Sequence, residues 1–164
     1  MTEMDQGFSS LLIEEELEKS KRDSELLKKF YNYLLISEDE KSASEMAYCA
    51  DYYLRDYVVD FLRLNITSPL PQIVTYFAGN WFITRTLDPE ISILVKYLKA
   101  IGKLYTYLSE NHLISQEELK QINEELSDVS FFEYRIKTFD KVTGDEYLKW
   151  LSECKKPLLE GENG

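Results

Sequence analysis

The sequence contains one histidine and two cysteines among its 164 residues. A zinc site needs clustered Cys and His side chains, and a di-iron bundle needs Glu-x-x-His pairs on two helices. One histidine cannot supply either set, so we expect neither a metal nor a cofactor. We expect His112 to lie at the end of a helix, where an imidazole interacts well with the helix dipole.

The two cysteines, Cys49 and Cys154, are far apart and form no CxxC pair. Both fall in segments with helical patterning, where a free cysteine is commonly a small buried hydrophobe. Neither has a histidine beside it in the sequence, so a Cys–His nucleophilic site is not indicated. The glycine-rich phosphate loops GxGxxG and GxxxxGK[ST] are also missing. Unpaired cysteines favour a reducing, cytoplasmic compartment.

Long apolar runs are absent, and the longest, at residues 46–50, is far shorter than the roughly 20 residues of a membrane-spanning helix. Residues 1–8 are polar and acidic, which does not fit a signal peptide. The formal net charge is −11, from 30 acidic and 19 basic residues. Such a charge repels nucleic acid and anionic membranes at long range. We expect a soluble protein with no membrane partner, whose acidic residues lie mostly on solvated helix faces.

Glycine and proline are scarce, with six and four residues, which favours helices over the tight turns of sheets. The length favours one domain, 1–164, with residues 1–8 and 158–164 disordered. Capping patterns predict helix starts near Ser9 or Ser10, Ser42, Pro69, Pro89, Ser115, Ser130 and Thr143. A polar joint at 21–23 either separates two helices or lies within one bent helix. The fold class is therefore an irregular all-α bundle of six to eight helices.

The spacing of apolar residues indicates how deeply each of these helices is buried. The helix predicted over 43–64 is apolar nearly all round, so we place it centrally. The helix over 90–110 has the strongest apolar stripe, and Gly102 beside that stripe indicates a close helix crossing. The segment 129–142 fits either a strand or a helix, and we favour a helix because a lone strand has no partner.

Three lysines of the 90–110 helix recur at spacings of three and four residues, which puts them on one face. They are Lys96, Lys99 and Lys103. This face is either a surface that tracks phosphates or the ordinary solvent face of an amphipathic helix.

Aromatic residues are abundant, with 12 Tyr, 8 Phe and 2 Trp. The candidates for lining an interaction groove are Tyr48, Tyr52, Trp81 and Phe82. The alternative is packing in the core, which is the commoner position of such side chains.

Several segments, 25–34, 41–44, 48–54 and 98–108, follow one another in an order that resembles the N-terminal core-binding (SAM-like) domain of tyrosine recombinases and phage integrases. The resemblance covers residues 24–111 and leaves 115–156 as a C-terminal helical extension. It implies a domain that clamps DNA, with the lysine face of the 90–110 helix on the DNA side. In that family a separate domain carries the catalytic Arg/His/Arg/Tyr set. With one His and five Arg, we expect no such catalytic domain here.

Three functional hypotheses follow. The first is a non-catalytic protein–protein interaction module, binding another protein or itself as a homodimer. The second is a nucleic-acid-binding protein that uses the lysine face. The third is an enzyme with a carboxylate-based site, for which the 30 acidic residues offer many pairs but no pattern. The missing motifs favour the first, and we expect no enzyme.

Overall fold

A computed structural model describes residues 3–158, which form seven helices and no strand. The all-α prediction is confirmed, as is a helix within 129–142. None of the helices in this part of the chain is long and apolar enough to cross a bilayer. The helices are α1 (Glu3–Leu34), α2 (Glu40–Tyr52, continued by a π-helical segment Tyr53–Phe61), α3 (Ile73–Tyr76, a π-helical segment Phe77–Trp81, and Phe82–Arg85), α4 (Ile91–Glu110), α5 (Gln116–Leu126), α6 (Val129–Phe139) and α7 (Asp145–Ser152).

The helix α2 and its π-helical continuation lie at the centre of the bundle, as predicted. They pack most extensively on α4 and also contact α1. Tyr53, Leu54, Tyr57 and Val58 are completely buried. The helices α5, α6 and α7 add Ile122, Phe132 and Trp150 to the same core.

Tyrosines in this core keep their hydroxyls satisfied. The Tyr53 and Tyr105 hydroxyl oxygens are 2.6 Å apart, and the Tyr57 hydroxyl donates to the Ile73 carbonyl at 2.6 Å. Burial raises the pKa of all three phenols above the ordinary tyrosine value. A buried Tyr needs such a partner for its polar end, so much of the aromatic excess serves packing.

A carboxylate from α5 caps the start of α3. Glu125 is 5% exposed and accepts hydrogen bonds from the backbone amides of Gln72, Val74 and Thr75 at 3.1, 3.0 and 2.9 Å. The first amides of a helix have no intrahelical partner, and here a side chain about fifty residues away supplies one. The predicted start at Pro69 is wrong, because α3 begins four residues later, at Ile73. Glu125 supplies the cap there, so no local cap at Ser68 is needed.

A buried arginine connects α6 with α3 and α7. Arg135 is completely buried, and its Nε and Nη1 donate to the carbonyls of Gly79 and Trp150, each at 2.7 Å. Its guanidinium carbon lies 3.6 Å from the centre of the Trp150 ring. Glu153 approaches Nη1 to 3.6 Å. These contacts compensate part of the desolvation of the charge, while the buried Nη2 has no hydrogen-bond partner among the described residues.

The helix α1 starts earlier than predicted. It begins at Glu3 and continues unbroken through the polar joint at 21–23, so Ser9 and Ser10 lie inside it. Its Glu, Lys and Leu residues are strong helix formers, which is why the joint does not interrupt it. Residues 3–8 belong to this helix, and the disorder expected for residues 1–8 and 158–164 stays a prediction. Residues 1–2 and 159–164 lie outside the described part of the chain.

One predicted capping box is confirmed and another is wrong. The Ser115 hydroxyl accepts from the Glu118 amide at 3.0 Å, and the Ser115 amide donates to Glu118 Oε1 at 2.9 Å. At α2, however, the cap is Asp39, whose carboxylate accepts from the Ser42 amide at 2.7 Å. The Ser42 hydroxyl donates instead to Glu38. An aspartate three residues upstream offers a better acceptor and starts the helix earlier.

Three further starts are shifted by one or two residues. Ser130 lies within the first turn of α6 rather than capping it. At α7 the capping position is Gly144, with φ 58°, and not Thr143. At α4 the cap is Glu90, so Pro89 precedes the helix instead of occupying its first turn.

The end of α4 is as predicted. His112 follows the helix with φ 58°, and its amide donates to the Ser109 carbonyl at 3.0 Å. The Leu113 amide donates to the Leu108 carbonyl at 2.9 Å. These two bonds form a Schellman motif, which satisfies carbonyls that the helix leaves unpaired.

Three predictions about packing are confirmed. Gly102 lies at a close crossing, because a Cβ there would be 3.3 Å from Leu126 Cδ1 of α5. Cys49 and Cys154 are both free and buried. Burial raises the pKa of the Cys154 thiol to about 11, so it remains protonated at neutral pH.

Candidate functional site: a lysine-edged groove between α2 and α4

A groove of about 490 Å³ lies between the first half of α2 and the middle of α4. We call it the α2/α4 groove. Its lining includes Glu45, Met46, Tyr48 and Cys49 from α2, and Lys96, Tyr97 and Lys99 from α4.

The floor of the groove is apolar and its edge is basic. Met46 and Cys49 are buried at 7% and 9% exposure, whereas Tyr48 stands at the rim with 67% of its surface exposed. Lys96 and Lys99 are both exposed, whereas Tyr97 of the same helix is half-buried. Methionine adapts readily to differently shaped partners. The arrangement therefore offers apolar contact below and two ammonium groups above.

The Cys49 thiol and the Tyr97 phenol of the groove remain protonated at neutral pH. Burial raises the pKa of the Cys49 thiol, Glu45 raises it further, and Lys96 lowers it. Burial also raises the pKa of Tyr97 to about 12, with a smaller contribution from Cys49. The reactive form of cysteine is the thiolate, which these surroundings disfavour. The groove is chemically suited to binding.

Two of the three predicted lysines meet at this groove. Lys96 and Lys99 line it together with Tyr48, so the lysine and aromatic candidates converge there. Lys103 lies farther along α4 and is half-buried. Tyr52 is also half-buried, with its ring centre 5.6 Å from that of Tyr97.

The other two aromatic candidates lie in the core, as the alternative interpretation proposed. Trp81 and Phe82 are each 3% exposed. The Trp81 ring packs against Phe77 at 5.7 Å between ring centres, and the Arg85 guanidinium covers it at 4.6 Å. Neither ring presents a surface to a partner in this structure.

The sequence did not reveal the floor of the groove. Met46 belongs to the helix that the sequence predicts over 43–64, and Cys49 is predicted as a buried hydrophobe, but neither is predicted to contact a ligand. A periodicity of i, i+3, i+4 and i+7 puts residues 42, 45, 46 and 49 on one face of α2, but it does not say which helix faces them. The position of α4 decides that, and it becomes known only with the fold.

Carboxylates form no comparable site. Within residues 3–158, no group of three or more His, Cys, Asp or Glu side chains could hold a metal ion. Among the side chains whose burial is described, the buried acids are Asp23 on α1 and Glu125 on α5. Both Glu125 oxygens accept backbone amides, and Asp23 lies 3.5 Å from the Arg22 guanidinium. Burial raises the pKa of Asp23, and Arg22 lowers it.

Comparisons with protein-family models, with curated proteins and with solved structures found no match for this chain.

Proposed function

We propose that this protein is a non-catalytic protein–protein interaction module, and that its α2/α4 groove binds an acidic amphipathic helix. The observation that carries the proposal is the convergence of Tyr48, Lys96 and Lys99 above a floor of Met46 and Cys49. An apolar groove between two helices is a common receptor for the apolar face of a third helix.

Charge narrows the choice of ligand. The chain is strongly acidic, and Lys96 and Lys99 are a local exception on the groove edge. A helix with Glu beside its apolar residues would place carboxylates next to these ammonium groups. An exposed ion pair is worth only about 0.2–1 kcal/mol. The lysines therefore mainly orient the ligand, and the apolar floor supplies most of the affinity.

Nucleic-acid binding through Lys96, Lys99 and Lys103 is the alternative proposal, and it retains the recombinase-like interpretation of residues 24–111. The groove favours a protein ligand for one reason. The floor offers apolar contact, which a sugar–phosphate backbone does not use.

The test is fluorescence anisotropy with two probes, at low and at moderate salt. One probe is a labelled synthetic helix of Ala, Glu and Leu, with its leucines at i, i+4 and i+7. The other is a labelled mixed-sequence DNA duplex. The test variant is Lys96→Gln/Lys99→Gln, and the matched control is Lys120→Gln/Lys141→Gln, which removes the same charge from exposed positions outside the groove.

We expect the peptide to bind, and the groove variant to weaken binding about tenfold, which corresponds to roughly 1.4 kcal/mol. The control should leave binding unchanged. Peptide binding that is equally strong in both variants would contradict the proposal, and so would no peptide binding at all. Duplex binding that only the groove variant weakens would support the nucleic-acid alternative instead.

A further inference from the structure

We propose that the ligand of the α2/α4 groove is the first part of α1 from a second copy of this chain. This inference rests on the proposed function, because it names the helix that the groove receives. We call residues 3–18 the α1 arm.

The α1 arm carries exposed apolar side chains. The described side chains from Gly7 to Arg22 are all exposed. The large apolar ones among them are Leu11, Leu12, Ile13 and Leu17, with 60, 47, 61 and 64% of their surfaces exposed. A neighbouring set of exposed apolar side chains commonly marks an interaction surface.

Part of this surface continues a face that already packs on the bundle. Ile13 and Leu17 lie on the same side of α1 as Ser20 and Ser24, at spacings of four, three and four residues. Ser20 and Ser24 accept hydrogen bonds from Arg55, at 3.4 and 2.7 Å. The packing face of α1 therefore extends past the bundle, and there it meets solvent.

Charge indicates what this face can bind. The arm contains six acidic residues and no Lys, Arg or His; the acids are Glu3, Asp5, Glu14, Glu15, Glu16 and Glu18. Two arms lying side by side would bring like charges together, which is unfavourable. A complementary surface must be apolar and basic. The α2/α4 groove has both properties, because its floor is apolar and Lys96 and Lys99 outnumber the one acid in its lining, Glu45.

The arm cannot reach the groove of its own chain. The helix α1 runs antiparallel to α2, because a short turn joins Leu34 to Glu40 and Arg55 contacts Ser24. The arm therefore leaves the bundle at the far end of α2, whereas the groove lies at residues 42–49. At 1.5 Å per residue the arm extends about 20 Å in the opposite direction. Docking must be between two copies.

The experiment measures the mass of the full chain in solution by sedimentation velocity. The arm variant is Ile13→Ser/Leu17→Ser, and its control, Ile36→Ser/Leu87→Ser, removes exposed apolar side chains elsewhere. The groove variant is Lys96→Glu/Lys99→Glu, with Lys120→Glu/Lys141→Glu as its charge-matched control. All these side chains are exposed, so circular dichroism should show unchanged folding.

We expect the unmodified chain and both controls to self-associate, and the arm and groove variants to be monomeric alone. An equimolar mixture of the two monomeric variants should form a heterodimer, because one intact arm can still meet one intact groove. A synthetic peptide of residues 3–22 should dissociate the complex by competing for the groove.

Self-association of the groove variant would overturn the inference and point to another contact of the arm. Failure of the arm and groove variants to form a heterodimer when mixed would do the same. An unmodified chain that stays monomeric up to about 1 mM would also overturn it, since weaker binding lies below the usual range of specific contacts. If the synthetic Ala/Glu/Leu helix still binds the groove in that case, the proposed function survives and only its ligand is wrong. If that helix also fails to bind, both proposals fail.

Discussion

Replacing Glu125 by alanine should destabilise the protein more than any other single removal of a carboxylate from α5. The side chain holds three backbone amides at the start of α3, and Val74, one of the three donors, is completely buried. Alanine leaves those donors without an acceptor. Gln72 is exposed and can bond to water, but the buried amide cannot.

The expected cost follows from these contacts. A buried donor left unpaired costs about 1–3 kcal/mol, and a bond to a charged acceptor is worth about 1.5–3 kcal/mol. With the full penalty at Val74 and partial ones at Thr75 and Gln72, we expect Glu125→Ala to cost about 3–5 kcal/mol. In Glu125→Gln the side-chain carbonyl can replace Oε1, which serves Val74 and Thr75, while its NH₂ group faces the Gln72 amide. That variant should cost about 1.5–3 kcal/mol.

Urea unfolding followed by circular dichroism measures both costs. The control is Glu124→Ala, which removes the same charge from the exposed neighbouring position of the same helix. Amide hydrogen exchange should also speed up at Val74 and Thr75 in Glu125→Ala, well before global unfolding. If Glu125→Ala lowers the free energy of unfolding no more than Glu124→Ala, the cap does not hold α3 in place and the reasoning is wrong.

Other predictions test the packing and the titration of the core. Gly79→Ala should cost about 1–3 kcal/mol, because its Cβ would lie 3.1 Å from Cys154 Sγ. The control is Gly7→Ala, whose new Cβ would have no atom within 4 Å and which should not lower the thermal midpoint. Equal midpoints for the two variants would contradict the close contact between Gly79 and Cys154. The raised pKa values of Cys154 and Tyr57 favour their protonated forms in the folded state, so their stabilising contribution is complete at neutral pH. It should be lost from about pH 9 upward, and the buried Tyr57 phenol should ionise only as the protein unfolds. His112→Gly should raise stability by about 0.5–1 kcal/mol, since φ 58° strains a residue with a Cβ; a lower thermal midpoint would mean that the imidazole contributes more than this strain costs.

Local signals in the sequence predicted the helices better than their starts. The box at Ser115 is confirmed, because its two hydrogen bonds involve only residues three apart. The start at Pro69 is wrong, because Glu125 caps α3 from another helix and makes a local cap unnecessary. The burial of Arg135 was equally unpredictable, since its partners are the carbonyls of Gly79 and Trp150. Charged residues of this kind look like surface residues until the fold brings their partners to them.

The candidate site, too, was predictable only where it depends on local sequence. Helical spacing placed Lys96 and Lys99 on one exposed face without reference to any other part of the chain. That Tyr48 lies beside them depends on how α2 and α4 cross. Spacing could not decide whether the aromatic residues line an interaction groove or pack in the core. Their burial in the structure places Trp81 and Phe82 in the core.

The first turns of α1 must keep their helical form without a core beneath them. Isolated helices of this length are marginal in water, so helicity there depends on the intrinsic propensity of each residue. Gly7 makes no contact that a side chain would disturb, yet glycine costs about 0.5–1 kcal/mol relative to alanine in a helix. Gly7→Ala would reduce the conformational entropy that any ligand of this segment must overcome on binding. The strength of binding can thus be adjusted severalfold at a position that touches nothing, through preorganisation alone.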